Sequence, residues 1–308
     1  MNFENNKEYI LYGLVTGINS SDNLCNITVT FQDQTVGNLK IKSEHVEKII
    51  VQKVYKFHFK AVENQTRMQL RIIDFKPILE CLDNTLEVEG VYKSFYDYAP
   101  VSINDIKEKI RSVIMSIEND VIKTIVKDLY KANEGKFLIY PAAIRFHHNY
   151  IGGLAYHTSS MIDLADQFLK IYPGISKDLL YAGIILHDLS KVDEFTEAEA
   201  TEYSLEGQLL GHLVMGAINI DRIACKHGLQ NKEEVLLLKH LVISHHGQPI
   251  YGACKKPYTA EAVILWYLDS IDSKMRVLSE TLDRTEIGNF TEGIGVLDRS
   301  KFYKHGLS

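Results

Sequence analysis

Histidine and aspartate recur in the later part of this 308-residue chain in a run that could do chemistry: His157, the adjacent pair His187-Asp188, His212, the adjacent pair His245-His246, and Asp269. Imidazole nitrogens combined with carboxylate oxygens suit divalent ions such as Mn²⁺, Fe²⁺, Zn²⁺ or Ni²⁺, whereas calcium calls for oxygens alone. A carboxylate beside a histidine can bridge two such ions about 3.5–4 Å apart, an arrangement that clamps an in-line displacement at phosphorus and activates the attacking water. Singly, each histidine reads as a hydrogen-bonded core residue. Together they do not, because one core has little reason to bury four or five histidines and two aspartates unless a cation pairs with them.

These residues must be held by helices. From Ser102 onward the apolar period is helical, with Ser102 and Asp105 as a start signal and Ile103, Ile106, Ile110, Val113, Ile114 and Ile117 as one face. Further helices are expected at 120–132, 154–171, 177–188, 205–227, 232–245 and 259–281, with no strand pattern among them. His157 falls in the stripe Leu154, His157, Met161, Leu164, Phe168. His187-Asp188 ends the uniformly apolar stretch Leu179–Leu186, a costly place for a charge without a partner. His212 lies three residues after Leu209 and four before Gly216, a spacing that faces it inward, with Gly211 and Gly216 allowing a neighbour to approach closely. His245 continues the face Val235, Leu238, Leu241, Val242, and His246 points about 100° away. Asp269 follows Ala262 and Leu265, with Asp272 a turn further on.

The ordered set resembles the ligands of the HD superfamily, extended as in its two-metal members. Tyr140-Pro141-Ala142-Ala143, His147-His148, Gly152 to Thr158, Leu179 to Lys191, Ala200 to Tyr203, Leu236 to His240 and Ser244-His245-His246-Gly247 look like the YhaM family of 3′-to-5′ exoribonucleases. The resemblance implies metal ligands at His157, His187, Asp188, His212, His245 and Asp269, with Asp188 bridging two ions. Mn²⁺ comes first, with Fe²⁺, Ni²⁺, Zn²⁺ or Co²⁺ as alternatives. His246 stays in the metal set beside His245, which helical facing favours. Lys191, three residues past Asp188, is expected to neutralise a phosphate oxygen unless it serves only a helix end. His148 and His240 are candidates for supporting a ligand or donating to a leaving group, with plain core or surface roles as the alternative, and Asp272 for orienting a ligand unless it simply faces solvent. Asp188, Lys191 and His148 form the expected catalytic group.

The front of the chain has a different texture. Ile10–Thr16, Asn26–Phe31, Val54–Lys60 and Met68–Ile73 are rich in β-branched and aromatic residues with period-two alternation, and a helical interruption lies near Ser43–Glu47. This suits a small OB-type barrel over residues 1–77. Residues 78–100 read as a linker or docking segment between domains, 101–281 as an all-α HD domain, and 282–308 as a tail. The family also places an OB-type module before the HD domain. Net charge is −6, but residues 1–77 carry ten Lys/Arg against eight Asp/Glu while the rest is acidic, which permits nucleic acid at the front without demanding it. The lone tryptophan lies outside the barrel, so base stacking would fall to Phe31, Tyr55, Phe57 or Phe59, with Lys40, Lys42, Lys56 and Arg71 on the phosphates. Four scattered cysteines without a C-x-x-C pair read as reduced structural thiols, and no apolar run reaches a membrane span, so a soluble cytoplasmic protein without a membrane partner is expected.

The reading is an exonuclease that guides single-stranded RNA, with single-stranded DNA open as a second substrate, toward a metal-activated hydroxide that releases 5′-mononucleotides. Direction and substrate come from the resemblance, and self-association stays open. The alternative is an HD phosphohydrolase of a small or cyclic nucleotide, with the barrel serving assembly. A binding protein with a dead HD domain fits poorly, since a decayed site should have lost one of its buried charges.

Overall fold

The computed structural model describes residues 3–19, 24–64, 67–81, 85–143, 150–199 and 201–307, which divide into two units, 1–98 with 199–201, and 99–198 with 202–308. In the first unit five strands, β1 (Glu8–Asn19), β2 (Leu24–Phe31), β3 (Val36–Lys42), β4 (Val54–Asn64) and β5 (Arg67–Pro77), close in the order β1-β2-β3-β5-β4. Among the described residues only β3 and β5 pair in parallel. A short helix, α1 (Ser43–Val46), interrupts the strands at the anticipated place. The expected barrel is therefore present, and period-two alternation builds it: along β4, Tyr55, Phe57, Phe59 and Ala61 face inward while Lys56, His58 and Lys60 face out. The inward set packs with Val15, Ile27, Val29, Phe31 and Leu39 into one aromatic-rich core.

That core corrects the stacking candidates. Phe31, Tyr55, Phe57 and Phe59 are all buried, and the Tyr55 hydroxyl is occupied by the backbone at Lys48 and Ile50. No base can reach them. Lys42 and Arg71 are exposed, and Lys40 and Lys56 are half-buried. Lys40 stands opposite Arg71, which pairs on its other side with Lys60, so three basic residues cross β3, β5 and β4 in one row. The segment read as a linker is a packed part of this unit. It carries α2 (Thr85–Tyr92), buries Ile78 and Tyr92, and holds the β2–β3 turn through Gln34 Nε2 donating to the Ser94 carbonyl at 3.0 Å.

The second unit is helical: α3 (Ile103–Ser116), α4 (Asp120–Phe137), α5 (Gly153–Ile171), α6 (Lys177–Leu186), α7 (Lys191–Glu194), α8 (Leu205–Lys226), α9 (Glu233–Ser244) and α10 (Ala260–Arg284). Asn119, Ser176, Ser204 and Thr259 cap α4, α6, α8 and α10 by accepting a backbone N–H three residues on. Ser102 stands at the start of α3 as expected, but its hydroxyl makes no capping bond. The apolar α6 is central, with Leu180, Ala182, Ile184 and Ile185 fully buried. Beyond α10 the chain is not a loose tail, because bridges between Phe290 and Tyr303 and between Ile294 and Ser300 fold it on itself. Among the described residues no helix is long and apolar enough to cross a membrane.

Candidate metal centre

Five helices deliver the predicted residues to one place. His157 projects from the first turns of α5, where it is buried in the apolar stripe. His187 caps the C-terminus of α6, and Asp188 follows in the turn before α7. His212 lies on α8 just past a break at Gly211, whose φ of 71° and ψ of 159° belong to a region that only glycine occupies readily. Gly211 therefore redirects the helix, whereas Gly216 does admit a close neighbour: a Cβ there would meet Val242 Cγ1 at 2.7 Å. His245 caps α9 and Asp269 sits on α10.

The ligand atoms fall into two groups, His157 with His187 and Asp269, and His212 with His245 and His246; within each group they lie within 4.8 Å of one another. Asp188 stands between them. Its Oδ2 is 3.4 Å from His187 Nε2, and its Oδ1 is 3.2 Å from His212 Nε2 and 3.6 Å from His245 Nε2. Across the first group His157 Nε2 lies 3.3 Å from His187 Nε2 and 3.4 Å from Asp269 Oδ1. Extrapolating α9 turned His246 away, but the helix ends at Ser244 and Gly247 takes a φ of 75°, so both histidines reach the second group. Gly247 is required there: a Cβ would lie 2.0 Å from the Trp266 ring.

Each inward histidine is aimed by its other nitrogen. Nδ1 of His157 meets Asp272 Oδ2 at 2.7 Å, that of His187 the Ile184 carbonyl at 2.8 Å, that of His245 the Val242 carbonyl at 2.7 Å, and that of His212 the carboxylate of Glu194 at 3.0 Å. With Nδ1 donating, Nε2 presents a lone pair to the centre, the usual preparation of a metal ligand. His212 Nε2 and Asp188 Oδ1 then face each other as two acceptors. Both are buried without a hydrogen-bond partner, as is His246 Nδ1. Buried acceptors are rarely left so, and a cation among them is what this donor set fits.

Residues 154–274 match the HD domain. The match encloses every residue from His157 to Asp272, and an HD domain indicates a metal-dependent phosphohydrolase.

The electrostatics of the HD centre agree with cation binding. Burial alone would raise the Asp188 carboxyl, but Lys191, His187 and His212 hold it well below the carboxylate range; His157 does the same for Asp269 against the same burial. Burial and the neighbouring histidines push His245 and His246 down, leaving their lone pairs free. His157 differs, since Asp269 and Asp272 overcome its burial and raise it to about 10. Lys191 donates to Asp188 Oδ2 at 2.7 Å and to the Ala142 carbonyl at 2.8 Å, so it braces the central carboxylate and is no mere helix-end charge. Asp272 is buried against His157 and orients that ring, and it does not face solvent. His240 instead accepts the Tyr258 N–H at 2.9 Å and stacks on that ring, away from the centre. His148 lies outside the described residues. Sequence patterning does not single out Glu194, although its place three residues past Lys191, itself three past Asp188, puts a third charge on one helical spacing.

Proposed function

We propose that this protein is a 3′-to-5′ exoribonuclease that shortens single-stranded RNA to 5′-mononucleotides, with His157, His187 and Asp269 holding one divalent ion, His212, His245 and His246 a second, and Asp188 shared between them. The observation that carries the reading is the pair of ligand groups on either side of Asp188, whose Oδ1 is buried and unpartnered. Divalent ions bound there supply charge for phosphoryl oxygens and lower the pKa of water. The chain's own part is to keep Asp188 ionised through Lys191 and to present histidine lone pairs through Asp272, Glu194 and two backbone carbonyls. Mn²⁺ suits the mixed nitrogen and oxygen donors.

The choice of RNA rests on the motif resemblance and on the barrel, whose outer face carries the row Lys40, Arg71 and Lys60, with Lys42 exposed nearby. Tyr12 lies half-buried on that face under the Lys56 ammonium, 5.7 Å from the ring, and takes the stacking role that the core aromatics cannot. The test is product mapping. A 5′-labelled RNA should give a descending ladder and a 3′-labelled one should release labelled mononucleotide at once. Internal fragments from a circular RNA would reject the exonuclease, and turnover of cyclic nucleotides without turnover of an oligonucleotide would favour the small-substrate alternative.

A further inference from the structure

On its side away from Lys191 and Glu194, α7 borders a cavity of about 520 Å³. Val192, Asp193 and Phe195 line it, together with Leu210, Met215 and Ile218 of α8. Its size lies in the range of small-molecule sites. Two cations reach it, Lys136 from the last turn of α4 and Arg222 from α8, and neither makes an ion pair among the described residues. The nearest polar contact of Arg222 is Asn219 Oδ1 at 3.4 Å. Glu206 and Asp193 also line it, and Asp193 is already engaged by Asn219 Nδ2 at 3.2 Å.

We propose that this cavity is a second ligand site, separate from the metal centre, that takes a nucleoside monophosphate. A phosphomonoester dianion satisfies an unpaired lysine and an unpaired arginine, whose fork suits phosphate oxygens. The aliphatic wall accommodates a flat ring, and the Glu206 carboxylate accepts from ribose hydroxyls. Inorganic phosphate would leave the apolar side empty, and an apolar ligand would strand the cations. The site is coupled to the chemistry through α7. Lys191 and Glu194 on one face hold Asp188 and His212, while Asn219 ties Asp193 on the other face to Ser190, donating to its hydroxyl at 3.1 Å. A ligand that moves Asp193 therefore acts on the residues that aim the ligands.

The nucleotide assignment comes from the cavity and not from the nuclease reading, so the two can fail separately. Metal-loaded full-length protein is irradiated with 8-azido-AMP and the modified peptides are mapped by mass. Labelling within 192–222 that AMP displaces, and that falls at least tenfold in Lys136→Gln/Arg222→Gln with unchanged metal content and unfolding temperature, supports the site. The charge reversal Arg222→Glu should lower it further. Labelling confined to peptides around 150–158 and 269–276, labelling indifferent to either substitution, or displacement by inorganic phosphate as readily as by AMP would each overturn it. RNA turnover measured in the same preparations addresses the nuclease reading independently.

Discussion

His157 is the residue at which protons and metal compete. Because Asp269 and Asp272 raise it to about 10, it carries a proton near neutral pH in the metal-free chain, and that proton must leave before Nε2 can bind an ion. Loading the first ligand group should release close to one proton per chain, and ion affinity should rise with pH until about 10; indicator titration in weak buffer measures both, and binding without release would count against Nε2 as a ligand. Asp188→Ala should abolish hydrolysis while the chain stays folded, checked by turnover at matched metal and by circular dichroism. Glu194→Gln should be milder, losing about 10–100-fold in metal affinity or activity, as partners of ligands do.

At the scale of elements, the breaks in helices matter as much as the helices. Gly211→Ala would force a side chain into a conformation that glycine alone adopts readily, costing about 1–3 kcal/mol, and would swing His212 off its axis. Gly135→Ala in α4, where a Cβ meets nothing within 4 Å, should stabilise by roughly 0.5–1 kcal/mol. Thermal unfolding of the pair, with metal content for the first, gives opposite signs if the break is structural. These breaks also mark where the sequence stops being legible. The 3.6-residue period locates His157, His187, His245 and Asp269, because each lies within an unbroken helix or at its cap. It places His212 inward for the wrong reason, since Leu209 three residues before it is 75% exposed and the break at Gly211 separates the two. It fails for His246, which follows the end of α9 and obeys no wheel. It is silent on Glu194, whose four-residue helix is too short to show a period.

For the whole molecule, the barrel is legible as alternation, yet alternation does not say which face of a strand is inside until the barrel closes. Hence Phe31 and Tyr55 read as stacking platforms and prove to be core. What the barrel offers a strand of RNA is charge, so Lys42→Glu with Arg71→Glu should raise KM for a long substrate and leave a dinucleotide unaffected. The slope of log affinity against log salt should fall by about 0.7 for each phosphate that is no longer neutralised, and equal effects on both substrates would return the barrel to an assembly role. The close approach of Gly247 to Trp266 has one more consequence. The chain has a single tryptophan, and its indole lies against the backbone that immediately follows His246. The protein thus carries its own fluorophore beside the second ligand group, and its emission should change as that group fills and return when a chelator empties it, giving an optical titration that needs no label.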